Sequence, residues 1–225
     1  MIPRIIHCFW AKGPKTKLAE RCLASWRRFA PGWEIREWSL ADIQRMASLP
    51  IFCQKAIRHR KWAFVADWAR FEILRAEGGV YLDADVELVE SVSLLPEGEW
   101  VAQEFVPGGV AANPGSGIAL EKDSDVARMM IIHYAGAAYN PDVTVGETLE
   151  RLLKTKGLAL ARLGPEVMSP IGLDGKLRRT GRTVGIHWYA MSWASPQRKL
   201  AKWLSWHGMR WVVNGLLRVK RMFVR

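Results

Sequence analysis

Asp83 and Asp85 stand one residue apart, directly after the apolar run Val80-Tyr81-Leu82. Side chains alternate along a strand, so residues two apart point to the same side. The spacing predicts that both carboxylates face one point where the strand leaves the core. Two neighbouring carboxylates repel, and a divalent ion with its retained waters relieves that repulsion. Mg²⁺ and Mn²⁺ are commonly held this way, by one or two carboxylates together with substrate phosphates. A solvated turn is the plainer alternative for Asp83-Ala84-Asp85. Upstream, Asp67 and Arg70 lie three apart, on one helix face. A polar pair on an otherwise apolar helix is costly unless partnered, so it is either an intrahelical ion pair or part of a polar site.

These residues need a helix, a stop and a strand to place them. Ala63, Ala66, Trp68, Ala69, Phe71, Ile73, Leu74 and Ala76 predict an amphipathic helix with a wide apolar face. Gly78 and Gly79 end it, since glycine tolerates the left-handed cap. Val86 to Val89 continues beyond the carboxylates as an alternating strand. Ahead of them, Arg4 to Trp10 reads as a first strand and Ala11 to Pro14 as a loop. Leu18, Ala19, Cys22, Leu23, Trp26 and Phe29 have helical spacing. Trp33 to Trp38 has the period-two alternation of a strand, and Ser39 caps a helix running to about Ala47. Ile51 to Arg58 is helical. Trp100 to Val106 is a strand, and Pro107 to Gly117 is a loop or two short strands round a turn. Helices follow from Asp125 to about Tyr134 and from Gly146 to Lys156. A strand, a loop and a helix at the start suit a nucleotide-binding α/β domain.

The chain of 225 residues, 49% of them apolar, suffices for one domain with a sizeable core and is too apolar for a disordered chain. Its net charge of +11 is unevenly placed: from Gly175 to Arg225 there are twelve Lys or Arg and no Asp or Glu. That asymmetry calls for an anionic partner, such as a membrane surface, a nucleic acid or an anionic glycolipid. No apolar run reaches the roughly 18 residues of a membrane span, and the first residues lack the charged and apolar regions of a signal peptide. Cys8, Cys22 and Cys53 are odd in number with no Cys-x-x-Cys spacing, which predicts reduced core thiols in a cytosolic protein rather than a zinc site.

The whole string from Phe64 to Val86, with Asp67, Arg70, Gly78-Gly79, Tyr81-Leu82 and Asp83-x-Asp85, resembles the DXD-containing glycosyltransferases. That family includes bacterial capsular polysaccharide transferases and fungal Golgi mannosyltransferases, and the string is similar to the core of the large clostridial glucosylating toxins. The resemblance implies an α/β fold of GT-A (Rossmann-like) type with a mixed central sheet over residues 1–195. It also implies a nucleotide-sugar donor, with a UDP-sugar favoured and a GDP-sugar as the other choice, and a divalent cation, Mn²⁺ or Mg²⁺, on Asp83 and Asp85. Asp67 and Arg70 would then contact donor sugar hydroxyls, and Trp10 matches the Trp that stacks on the base, the alternative being a core Trp. Phe9, Tyr81 and Ala84 belong to the same expected donor site, although Tyr81 also suits an ordinary strand position. The Pro107–Gly117 loop is a candidate wall on the acceptor side.

Val184 to Trp193 resembles the closing strand of the same family. His187 matches a late His that completes the metal shell, while Trp188 stands where many relatives carry a second His. Ser192 and Trp193 match the pair that helps hold the diphosphate. Residues 196–225 mix Trp203, Trp206, Trp211 and Phe223 with eight Lys or Arg and read as a basic helical tail. It suits either an interfacial anchor on anionic lipid or a helix with a solvated basic face. The expected function is metal-dependent sugar transfer to a glycan or lipid-linked acceptor, with retention, in bacterial surface polysaccharide synthesis. The expected place is the cytoplasmic face of the membrane. Two alternatives stay open: a toxin-like transferase that glycosylates a protein, and a non-catalytic basic module for membranes or nucleic acid. Nucleic acid is not an expected partner, since no recognised motif for it is present.

Overall fold

The structure is a computed structural model and describes residues 1–190, apart from 12 and 141, together with residue 200. The expected tail of residues 196–225 and the end of the 1–195 domain thus lie outside the described residues, as do Ser192 and Trp193.

Strand β1 (Ile5–Phe9) lies between β2 (Glu34–Trp38) and β3 (Gly79–Tyr81) and is parallel to both. Antiparallel strands extend the sheet: β3 pairs with β7 (Ile118–Leu120), and β7 with β5 (Trp100–Val106). β5 also carries β6 (Gly109–Ala112), antiparallel, and β8 (Ala161–Leu163), parallel. The result is a mixed seven-stranded sheet in the order β2-β1-β3-β7-β5-β6 with β8 on β5. A separate two-stranded ladder joins β4 (Val86–Leu88) to β9 (Gly185–His187), with Val86 opposite His187.

Helices cover both faces. α1 (Lys17–Phe29) and a short α7 (Pro165–Met168) contribute Leu23, Trp26, Val167 and Met168 to a core with Ile6, Val80, Leu82 and Trp100. On the other face, α3 (Ile51–Arg58), α4 (Trp62–Glu77), α5 (Asp125–Gly136) and α6 (Val145–Lys156) supply Phe52, Phe71, Met130 and Leu149 to a core with Tyr81, Ile118 and Leu120. Val80 and Tyr81 thus point to opposite cores, as strand alternation requires. α2 (Leu40–Met46) begins in a full capping box between Ser39 and Asp42. Cys8, Cys22 and Cys53 are free and buried.

Two sequence expectations need correction. α4 is not amphipathic: residues Trp68 through Leu74 are buried without a break, because α3, α5 and the sheet surround it. β2 does not alternate cleanly between buried and exposed, because it is the edge strand. Among the described residues, no helix is long and apolar enough to cross a membrane.

The junction between α4 and β3 depends on its two glycines. Gly78 and Gly79 have φ of 66° and 105°, a region open mainly to glycine. A Cβ on Gly79 would stand 2.7 Å from the carbonyl oxygen of Ile5. The close approach lets β3 pair with β1 immediately after the helix. His7 seals the joint: its Nε2–H donates to the Gly78 carbonyl at 2.8 Å, and its Nδ1 accepts from Trp38 Nε1 at 3.0 Å.

Candidate active site

The two carboxylates sit where the chain leaves the main sheet. Leu82 N still donates to His7 O at 3.0 Å, but the next ladder bonds are gone; Val86 N donates to Asp83 O at 2.9 Å instead. Residues 83–86 therefore form a tight turn between β3 and β4. The carboxylates converge by turn geometry, which corrects the expected strand alternation. The turn lies past the C-terminal ends of the parallel strands β1 and β3, the edge at which α/β sheets take their ligands.

Each acid is held by a different element. Arg70 of α4 donates from Nη2 to Asp83 Oδ1 and from Nη1 to Asp67 Oδ1, each at 3.0 Å. Its guanidinium, 2% exposed, lies 5.0 Å from the centre of the Tyr81 ring. Asp85 Oδ2 accepts from the Ala190 amide at 2.7 Å, and Asp85 Oδ1 lies 3.3 Å from His187 Nε2. The β4–β9 ladder brings His187 there from a hundred residues away.

The electrostatics follow from burial opposed by pairing. Burial pushes the Asp67 carboxyl up to about 6, against the pull of Arg70. Burial also raises Asp83, and the negative charge of Asp85 adds to the rise while Arg70 opposes it. Asp85 goes the other way: burial is outweighed by His187 and the Ala190 amide, which hold it at about 2. His187 is correspondingly raised, since Asp85 outweighs its burial. Arg70 stays charged because Asp83 and Asp67 outweigh the cost of enclosing it.

These residues fit a divalent cation. One ligand atom from each of Asp83, Asp85 and His187 lies within 4.8 Å of the others. Neighbouring ligands of an ion bound at about 2.1 Å stand about 3 Å apart, close to the 3.3 Å between Asp85 and His187. Two carboxylate oxygens suit Mn²⁺ or Mg²⁺, and the imidazole beside them is better matched to a transition ion such as Mn²⁺ than to Mg²⁺. Space beside Asp83 is kept by Gly115, where a Cβ would stand 2.3 Å from Asp83 Oδ2.

The other expected donor-site residues are placed as follows. Trp10, half-buried after β1, donates from Nε1 to Gly13 O at 3.1 Å. Phe9 is buried in the core and Tyr81 is fully enclosed, so Tyr81 supports Arg70 from beneath. Ala84 is half-buried in the turn. Trp188 points away from His187, donating to Glu87 Oε2 at 2.8 Å beneath the Arg21 guanidinium. Sequence reasoning missed the role of the loop between β6 and β7. Gly115 O accepts from Asp83 N at 2.9 Å, and Asn113 and Ser116 reach His187. The sequence marked that stretch by its Gly and Pro content and as a candidate acceptor-side wall, with no signal for its contacts to the carboxylate turn and His187.

Residues 16–106 match the family described as the glycosyltransferase sugar-binding region containing DXD motif. The matched segment holds Asp67, Arg70, Asp83 and Asp85, and stops short of His187. Toxin Afp18 of Yersinia ruckeri is 35% identical over 89 residues, which is 38% of this chain and 4% of the toxin. An uncharacterized glycosyltransferase of Acanthamoeba polyphaga mimivirus is 30% identical over 95 residues, 38% of this chain and 36% of that protein. The chain thus matches only a minor part of either relative. Among solved structures, the PaToxG glycosyltransferase superposes with a TM-score of 0.52 at 19% identity, covering 69% of this chain and 70% of that one. A glycosyltransferase involved in glycosylation of the major capsid of PBCV-1 gives 0.54 at 14% identity, covering 89% and 99%. The structural likenesses show the GT-A fold, and the match to the DXD-containing sugar-binding region covers residues 16–106.

Proposed function

We propose that this chain transfers a sugar from a nucleoside diphosphate sugar to an acceptor hydroxyl, with Mn²⁺ or Mg²⁺ held by Asp83, Asp85 and His187. The observation that carries the reading is the convergence of those three side chains beside an Arg70–Asp67 pair on α4. A bound cation would neutralise charge that develops on the departing diphosphate. Asp67 orients the sugar ring through its hydroxyls, and the enclosed Arg70 acts from behind by holding Asp67 and Asp83 in place. Trp10, past the end of β1, stacks on the base, and UDP is the favoured nucleotide. Transfer with retention is the favoured stereochemistry.

The first reading for the acceptor is a glycan or lipid-linked oligosaccharide of a bacterial surface polysaccharide, met at the inner membrane face through the basic residues 196–225. The second is a protein acceptor, favoured by the 35% identity with a toxin. The test is release of nucleoside diphosphate from a panel of donors with Mn²⁺, with and without candidate acceptors. Turnover of one donor class that disappears in Asp85→Ala supports the proposal; turnover of none refutes it. Sedimentation with anionic vesicles but no labelling of proteins in an extract favours the first acceptor, and labelling of a discrete protein the second.

A further inference from the structure

His187 is gripped on the side away from Asp85 by hydroxyls that neither the carboxylate motif nor the proposed transfer explains. Ser116, in the loop between β6 and β7, places Oγ 2.8 Å from His187 Nδ1. Ser169, just past α7, donates from Oγ to Ser116 Oγ at 2.6 Å. Both serines are fully enclosed. The Tyr189 ring lies 4.1 Å from the imidazole, and Ser169 and Glu104 hydrogen-bond its phenol. Asn113 Nδ2, at 3.5 Å from Nδ1, is too distant to compete with Ser116.

The order Ser116, His187, Asp85 looks like a nucleophilic triad, but the geometry rules that out. The serine oxygen is inaccessible and already accepts from Ser169. It also faces Nδ1, leaving Nε2 for the carboxylate, the reverse of the triad arrangement. A metal-binding His instead uses its second nitrogen to anchor the ring, which fixes its orientation and tautomer. With a cation on Nε2, Nδ1 carries the proton and donates it to Ser116 Oγ. With a proton on Nε2, the same hydroxyl rotates to donate to Nδ1. A hydroxyl serves both forms, so the ring need not move when cation replaces proton.

We propose that Ser116, backed by Ser169, is the positioning residue that holds His187 Nε2 on the cation site; this rests on His187 being a ligand. The test is Mn²⁺ binding followed by electron paramagnetic resonance, with ¹⁴N coupling read by the pulsed experiment. The proteins are the parent, Ser116→Ala, Ser169→Ala and His187→Ala. The parent shows ¹⁴N coupling that His187→Ala lacks. Ser116→Ala binds about 10- to 100-fold more weakly with altered coupling, and Ser169→Ala shows a smaller loss in the same direction. If Ser116→Ala loses its cooperative thermal transition, Ser116→Cys replaces it, with an intermediate loss expected. Parent affinity and coupling in the Ser116 variant, with weakened binding in His187→Ala, overturns the inference alone. A parent without ¹⁴N coupling, bound no better than His187→Ala, removes His187 from the ligand set and the inference with it.

Discussion

Arg70 bridges Asp67 and Asp83, donating to each at 3.0 Å from a fully enclosed position. One guanidinium thus ties the helix that precedes the carboxylate turn to the turn itself. Removing it leaves Asp67 and Asp83, 16% and 33% exposed, without that cation. Arg70→Met is expected to lose up to about 3–5 kcal/mol of stability, the upper figure being that for breaking one side of a fully buried pair. Arg70→Lys is not expected to restore it, since an ammonium lacks the planar fork that spans both acids. Urea unfolding of the three proteins checks this.

Gly115→Ala separates cation binding from folding. The new Cβ would stand 2.3 Å from Asp83 Oδ2, and Gly115 is not one of the glycines with positive φ, so no backbone strain is added. Asp83 Oδ2 is expected to turn aside while Oδ1 keeps its bond to the enclosed Arg70. Mn²⁺ affinity is expected to fall at least about tenfold, or about 1.4 kcal/mol, with little change in thermal midpoint. Calorimetric titration with Mn²⁺ reads the first and a melting curve the second.

His7 and Asp67 set opposing pH dependences without added cation. Burial lowers His7 from 6.5 to about 4. Between those values the unfolded chain takes up a proton that the folded one refuses, so stability falls as pH drops from 6.5 to 4. At about 1.4 kcal/mol per unit this amounts to about 3 kcal/mol. Asp67 is raised from 3.8 to about 6, so the folded chain takes up that proton first and gains stability over nearly the same range. The two terms offset each other in the parent. His7→Gln keeps a donor for Gly78 O but does not titrate, and is expected to gain stability relative to the parent as pH falls from 6.5 to 4. Stability measured across this range in both proteins decides it.

Trp26 connects α1 to the site. Its Nε1 donates to Val86 O at 2.7 Å, and Val86 is paired with His187. Trp26→Phe leaves that carbonyl enclosed and unpartnered, which costs about 1–3 kcal/mol. Mn²⁺ affinity is expected to fall as well, because β4 and β9 carry Asp85 and His187 together. A variant with parent cation affinity would show that α1 supports the fold alone.

The sequence made the local part of this site legible. Helix, glycine pair, strand and paired acids follow one another between Phe64 and Val86, and each leaves a residue-level signal. What topology creates was not legible. β7 and β8 have three residues each, too short for a period. Ser116 and Ser169 carry no motif and meet His187 only because three distant segments converge. The burial of α4 on all sides was hidden for the same reason, since its neighbours are set by the sheet order. Asp83 and Asp85 come together for a different local reason from the expected strand alternation, because a turn and a strand both bring residues two apart together.

The most direct measurement is a thermal-shift panel of UDP-, GDP-, dTDP- and CMP-sugars, each with and without Mn²⁺, on the parent and Asp85→Ala. The account predicts stabilisation by one nucleotide class, UDP first, that requires Mn²⁺ and vanishes in the variant. Stabilisation by no donor in the presence of Mn²⁺, or an equal shift in Asp85→Ala, would contradict it.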